Sequence, residues 1–140
     1  MKQKTIAVQL LVLSLVFGAG CSWRPESRSK VLTITTAETQ KLLESGQNVV
    51  LLDVRTPEEW KSATGHLRNA MLIPLQNLET RFDNLEPFRD RTIVAYCRSG
   101  KRSQTAARFL GEKGFKALSM EGGILKWIAE NRAVVKETNQ

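Results

Sequence analysis

The stretch Thr92-Ile93-Val94-Ala95-Tyr96-Cys97-Arg98-Ser99-Gly100-Lys101-Arg102-Ser103 carries an apolar run into a cysteine and then into a short basic loop with one glycine. Ile93 to Tyr96 predicts a buried strand, and the composition from about Ser103 to Lys113 predicts a helix. Cys97 therefore falls at the carboxyl end of a strand and beside a helix start, the place where open parallel α/β sheets bind ligands. A helix start supplies free N–H groups and partial positive charge, and Arg98, Lys101 and Arg102 add full charges. Both effects favour a thiolate, which is a nucleophile. A cysteine after an apolar run is by itself an ordinary core residue. The loop changes that reading, because its composition is not that of a core and Gly100 lets successive N–H groups turn inward as an anion-binding nest.

On the N-terminal side, Val49 to Val54 is a second apolar run, interrupted by Asp53, as expected of a central parallel strand covered on both faces. Val31 to Ile34 and Met71 to Ile73 predict two shorter strands, and Phe115 to Met120 a fifth. Between them lie helix signals. Thr35-Thr36-Ala37-Glu38 and Thr56-Pro57-Glu58-Glu59 are capping boxes, the second with proline at the first helical position. Leu75, Leu78, Phe82 and Leu85 form a helical stripe that predicts packing, and Ile124, Leu125, Trp127 and Ile128 mark a last helix after Glu121-Gly122-Gly123. Strands alternating with helices predict an α/β domain with a mostly parallel sheet and right-handed crossovers. Asp53, Arg55 and Glu59 are expected to be structural ion-pairing and capping residues. His66 is expected to be a hydrogen-bonded structural histidine, and Trp60 and Trp127 are expected on core faces.

The 140 residues suffice for one domain, and the formal charge of +7 includes Lys2 and Lys4 at the N-terminus. These precede an apolar run, Ile6 to Phe17, and the small residues Gly18-Ala19-Gly20 before Cys21. The pattern predicts an export signal over residues 1–20, too short to span a bilayer comfortably. Cys21 after small residues is similar to the lipobox of bacterial lipoproteins, so Cys21 is the candidate lipidation site. The motif's usual aliphatic residue is Gly18 here, and ordinary signal-peptidase cleavage after Gly20 is the alternative. Lipidation would leave one free thiol, Cys97, in an oxidising compartment. Residues 21–30 then read as a polar tether, residues 31–135 as the domain and 136–140 as a tail, with the protein held on the periplasmic side of the envelope.

Spacing and composition weigh against several other functions. A phosphate-binding P-loop needs glycine where Ala95 stands and Ser or Thr where Arg102 stands. A cysteine-dependent phosphatase or arsenate reductase is a closer rival and stays as a less favoured alternative: phosphatases place an arginine six positions after the cysteine, where this chain has Ser103, and Arg102 is one position short. One histidine and two cysteines make no recognisable zinc site, and the dispersed basic residues do not describe a nucleic-acid surface.

Leu52-Asp53-Val54-Arg55-Thr56-Pro57-Glu58-Glu59-Trp60, Gly65-His66-Leu67 with Ala70, Tyr96 through Ser103, and Glu121-Gly122-Gly123-Ile124 with Trp127 together resemble single-domain rhodaneses. The resemblance runs from about Val31 to Val134. It implies a central five-stranded parallel sheet flanked by helices, and thiosulfate sulfurtransferase-type activity with neither metal nor organic cofactor. It further implies that Cys97 is the catalytic residue and bears a persulfide, and that Arg98, Ser99, Gly100, Lys101, Arg102 and Ser103 form the substrate-binding loop. The implied partners are a small anionic sulfur donor and a thiophilic acceptor, cyanide or a thiol, including an exported protein; a non-catalytic sulfur carrier or redox sensor is the alternative. Two departures stand out: four residues separate Trp60 from Gly65 where many relatives have about two, and the family's common Pro-Gly after the histidine is Arg68-Asn69.

Overall fold

The computed structural model describes residues 31–137; the expected export signal, Cys21 and the expected tether lie outside them, as do residues 138–140. Five parallel strands, β1 (Thr33–Ile34), β2 (Val49–Asp53), β3 (Met71–Leu72), β4 (Thr92–Tyr96) and β5 (Lys116–Met120), form one sheet in the order β1-β5-β4-β2-β3. The sequence predicts these five strands, and the outer ones are shorter than expected. β4 is at the centre. Its side chains alternate as a strand's must. Ile93, Ala95 and, just past the strand end, Cys97 face one layer with Leu52, Val54, Leu78, Leu85, Ala106 and Leu110. Val94 and Tyr96 face the other, with Leu51, Leu67, Met120, Ile124 and Trp127.

Helices close both faces: α1 (Thr36–Glu44), α2 (Pro57–Lys61), α3 (Leu75–Arg81), α4 (Lys101–Glu112) and α5 (Gly123–Ala129). Both capping boxes form in full, with Thr35 and Glu38 opening α1 and Thr56 and Glu59 opening α2. The stripe from Leu75 to Leu85 packs as expected, but not on one helix: α3 gives way to a 3-10 helix over Phe82–Phe88. Pro87 explains the change, since its ring would collide with the carbonyl of Asp83 in an α-helix and it has no N–H to donate.

A buried ion pair anchors the end of β2. Arg55, 1% exposed, donates from Nη2 to Asp53 Oδ2 at 2.6 Å and from Nε to both carboxylate oxygens at 3.0 Å. Its remaining donors go to Glu59 O, Thr64 Oγ1 and Gly65 O. Every donor is thus matched, which is what a charge in the interior requires. The longer segment between Trp60 and Gly65 is held by the same arginine, because Thr64 and Gly65 supply two of its acceptors. Asn69 adopts the left-handed conformation at φ 59°. Asparagine tolerates that conformation better than other non-glycine residues. Trp127 is buried and donates from its indole to Ala133 O at 3.0 Å. Trp60 departs from expectation: α2 is a single short helix with no fully buried residue, so Trp60 stays half-buried and stacks on His66, ring centroids 3.7 Å apart. His66 itself sits with Nδ1 3.0 Å from Leu67 O, and its backbone pairs with Val135.

Candidate active site

The chain leaves β4 at Tyr96 and turns through Cys97, Arg98 and Ser99 to Gly100, which has φ 103° and caps α4. At that φ only glycine is unstrained. The turn is completed by Gly100, so α4 begins at Lys101 and not near Ser103 as the composition suggested; Lys101 and Arg102 occupy its first turn. The consequence is that the N–H groups of the turn and of the helix start converge on one atom. Gly100 N–H donates to Cys97 Sγ at 3.1 Å. Burial pushes the Cys97 thiol up, but the N–H groups of Ser103, Gly100 and Ser99, with a further contribution from the Ser103 hydroxyl, outweigh it and hold the thiol below its ordinary value. Of the two effects expected from the sequence, the backbone N–H groups carry the larger share, and among the flanking cations Arg102 interacts with the sulfur.

What keeps those N–H groups pointing inward is the treatment of the carbonyls on the outer side of the turn. Ile124 N–H donates to Cys97 O at 2.8 Å and Leu125 N–H to Arg98 O at 3.2 Å. The open N-terminus of α5 therefore satisfies two loop carbonyls and fixes the two peptide planes that carry them. So close an approach leaves no room for a side chain at Gly123: a Cβ there would stand 2.4 Å from Cys97 O and 2.6 Å from Arg98 O. On the inner side, Ser103 Oγ donates to Gly100 O at 2.9 Å and lies 2.8 Å from Ser119 Oγ on β5, which ties the loop to the sheet.

The candidate loop residues divide by role. Cys97, Gly100 and Ser103 are buried and make up the nest; Arg98, Ser99 and Lys101 expose their side chains around it. Arg102 behaves differently from the free donor-attracting cation that the sequence suggests. Its Nη1 and Nη2 donate to Glu59 Oε2 and Oε1 at 2.6 and 2.7 Å, a bidentate pair about a quarter exposed on each side. That hydrogen bond lowers the Glu59 carboxyl below its ordinary value and raises Arg102. Glu59 thus serves two ends at once, accepting from Thr56 N–H at 3.1 Å and holding the loop after Cys97 through Arg102. Sequence reasoning found the cap and missed the pairing, for no local pattern connects residues 43 apart. Among the described residues no group of three or more His, Cys, Asp or Glu side chains is placed to hold a metal ion.

Residues 35–130 match the model of the rhodanese-like domain. A sulfurtransferase from Allochromatium vinosum is 34% identical over 98 residues, covering 69% of this chain and 87% of that protein. YtwF of Bacillus subtilis, a sulfurtransferase candidate, is 32% identical over 103 residues, covering 74% of this chain and 96% of its own. The crystal structure of a rhodanese-related protein from Thermoplasma volcanium superimposes with a TM-score of 0.67 at 33% identity, over 76% of this chain and 99% of that one. With the parallel sheet order, the cysteine at the end of its central strand and the nest at the start of α4 all in place, the chain belongs to the rhodanese-like domain family.

Proposed function

We propose that the protein is a sulfurtransferase that takes the outer sulfur of thiosulfate onto Cys97 and passes it to a thiophilic acceptor. The observation that carries this reading is the cradle of inward N–H groups around one buried sulfur atom. The Cys97 thiolate attacks the outer sulfur of thiosulfate. A Cys97 S–S bond forms, the bond to the sulfonate breaks, and its electron pair leaves with sulfite. The persulfide keeps one negative charge inside the same N–H groups, which are already oriented and need not reorganise. Cyanide or a thiolate then attacks the outer sulfur, and the Cys97 thiolate returns. A phosphoryl group fits less well, since the one arginine near the position a phosphatase would use has both terminal nitrogens on Glu59.

Thiosulfate should support cyanide-dependent turnover by the purified protein, with the rate half-lost at a pH below the ordinary thiol value of about 8.5. The sign follows from the site: a lowered Cys97 value keeps the thiolate populated until the pH falls through it. No turnover with thiosulfate, while organic persulfides load Cys97, would reassign the donor. Loading by any donor without release to any acceptor would favour a sulfur carrier.

We also infer, from Lys2, Lys4, the apolar run and Cys21, that the protein is exported and anchored by a lipid on Cys21. Cells fed radiolabelled palmitate should incorporate label into the wild-type chain and not into Cys21→Ser. Equal labelling of both, or of neither, would contradict the anchor.

A further inference from the structure

Cys97 is 1% exposed, so an acceptor must bring its own sulfur into the mouth of the loop while the rest of it stays outside on the rim. The rim has a definite chemistry. Arg98, Ser99 and Lys101 are exposed on the catalytic loop, and Leu125 lies beside them, because its N–H bonds Arg98 O. Leu125 is 40% exposed, one of three large apolar residues more than a third exposed among the described residues. Lys126 is next. Its stem runs back across Gly122, where a Cβ would stand 2.5 Å from Lys126 Cβ and 2.7 Å from Cδ; Gly122 in turn abuts Gly100, whose Cβ would lie 3.3 Å from Gly122 N. Lys126 is thereby laid toward the catalytic loop, a placement helical side chains favour because they lean toward the N-terminus.

Among the described residues, the ion pairs engage Arg55, Arg89, Arg102 and Arg132, so Arg98, Lys101 and Lys126 lie outside every salt bridge, and Lys126 feels only the longer-range charge of Glu130. Glu121, the acidic residue of the same turn, is engaged away from the rim: its Oε1 accepts from Thr33 Oγ1 of β1 at 2.8 Å. Three cations outside any salt bridge and an exposed leucine around a sunken nucleophile are more than a small dianion needs. A small oxyanion gains from charge alone, and the leucine offers it nothing.

We propose that this rim is the docking surface for an acidic protein that presents an accessible cysteine, and that this cysteine takes the sulfur from Cys97. The proposal rests on the sulfur-transfer reading above. In the transfer the acceptor thiolate attacks the outer sulfur of the Cys97 persulfide, the acceptor's S–S bond forms and the Cys97 S–S bond breaks. The electron pair of that bond returns to Cys97 as thiolate, and the acceptor leaves as the persulfide. Complementary charge would raise the encounter rate and make it sensitive to salt.

The test uses protein loaded with thiosulfate and freed of excess donor. It is mixed with a cysteine peptide flanked by Asp and Glu, with neutral and lysine-flanked peptides of the same length, and with 2-mercaptoethanol. Rates are expressed per thiolate, since flanking carboxylates raise the acceptor's own pKa. At low salt the acidic peptide should discharge the persulfide about 10-fold faster than the neutral one, with the advantage shrinking as salt screens it. Lys126→Gln should reduce that preference and Lys126→Glu should reduce it further, while both leave discharge to 2-mercaptoethanol unchanged. Equal rates for acidic and neutral peptides, or a preference that survives both substitutions, would overturn the proposal. A protein that loads no sulfur, or discharges none even to 2-mercaptoethanol, would overturn the transfer reading and the docking surface with it.

Discussion

Gly123→Ala should lower sulfur transfer by about 100-fold, the scale of loss that follows when a reacting group is displaced by about 1 Å. The new Cβ would stand 2.4 Å from Cys97 O, so either α5 retreats or the loop peptide rotates. In both cases the hydrogen bonds from Ile124 and Leu125 to the loop carbonyls lengthen, and the N–H groups on the other side of those peptides lose their aim at the sulfur. Alanine at φ 59° adds a conformational cost of about 1–2 kcal/mol. Gly46→Ala separates the two effects. Gly46 also has a positive φ, 67°, but nothing lies within 4 Å of a Cβ placed there, so this variant should lose a comparable conformational term and keep its turnover. Steady-state rates and thermal unfolding of the two variants check the expectation. Gly123→Ala with a wild-type rate would mean that the α5 contact does not shape the nest.

Cys97→Ser should abolish transfer, leaving less than about one part in 1,000 of the rate, because the serine hydroxyl is not ionised at neutral pH and forms no persulfide. The fold should survive. Serine is slightly smaller, and its hydroxyl oxygen can accept the Gly100 N–H that now reaches sulfur at 3.1 Å. Circular dichroism and unfolding should therefore match the wild type to within about 1–2 kcal/mol, the scale of one buried hydrogen bond. Retained cyanide-dependent turnover would move the chemistry away from Cys97.

Much of the fold can be read from the chain because its signals are local. The alternation along Ile93 to Cys97 places the thiol on the α4 face, and the Thr56-Pro57-Glu58-Glu59 box opens α2 as its pattern requires. The geometry of the candidate site was readable as far as the cysteine at the strand end and the N–H nest beside it. What escaped was long-range. Glu59 meets Arg102 across the site and converts an expected substrate-attracting cation into a paired one. The α5 N-terminus meets the loop carbonyls only because Gly123 has no side chain, and the sequence shows a Gly-Gly turn without showing what it touches. The relative weight of the two stabilising effects was not readable: Arg98, Lys101 and Arg102 are visible as letters, whereas the N–H groups the turn at Gly100 aims at the sulfur gain their weight only from the folded geometry. The stacking of Trp60 on His66 likewise depends on a helix too short to bury a tryptophan.

The most direct measurement is mass spectrometry of Cys97 after brief exposure to thiosulfate, with peptide mapping to separate it from Cys21. The account predicts that Cys97 gains one sulfur atom, that cyanide removes it, and that Cys97→Ser gains none. A wild-type protein whose Cys97 gains no sulfur from thiosulfate or from any persulfide, or a Cys97→Ser variant that still acquires sulfur removable by cyanide, would contradict it.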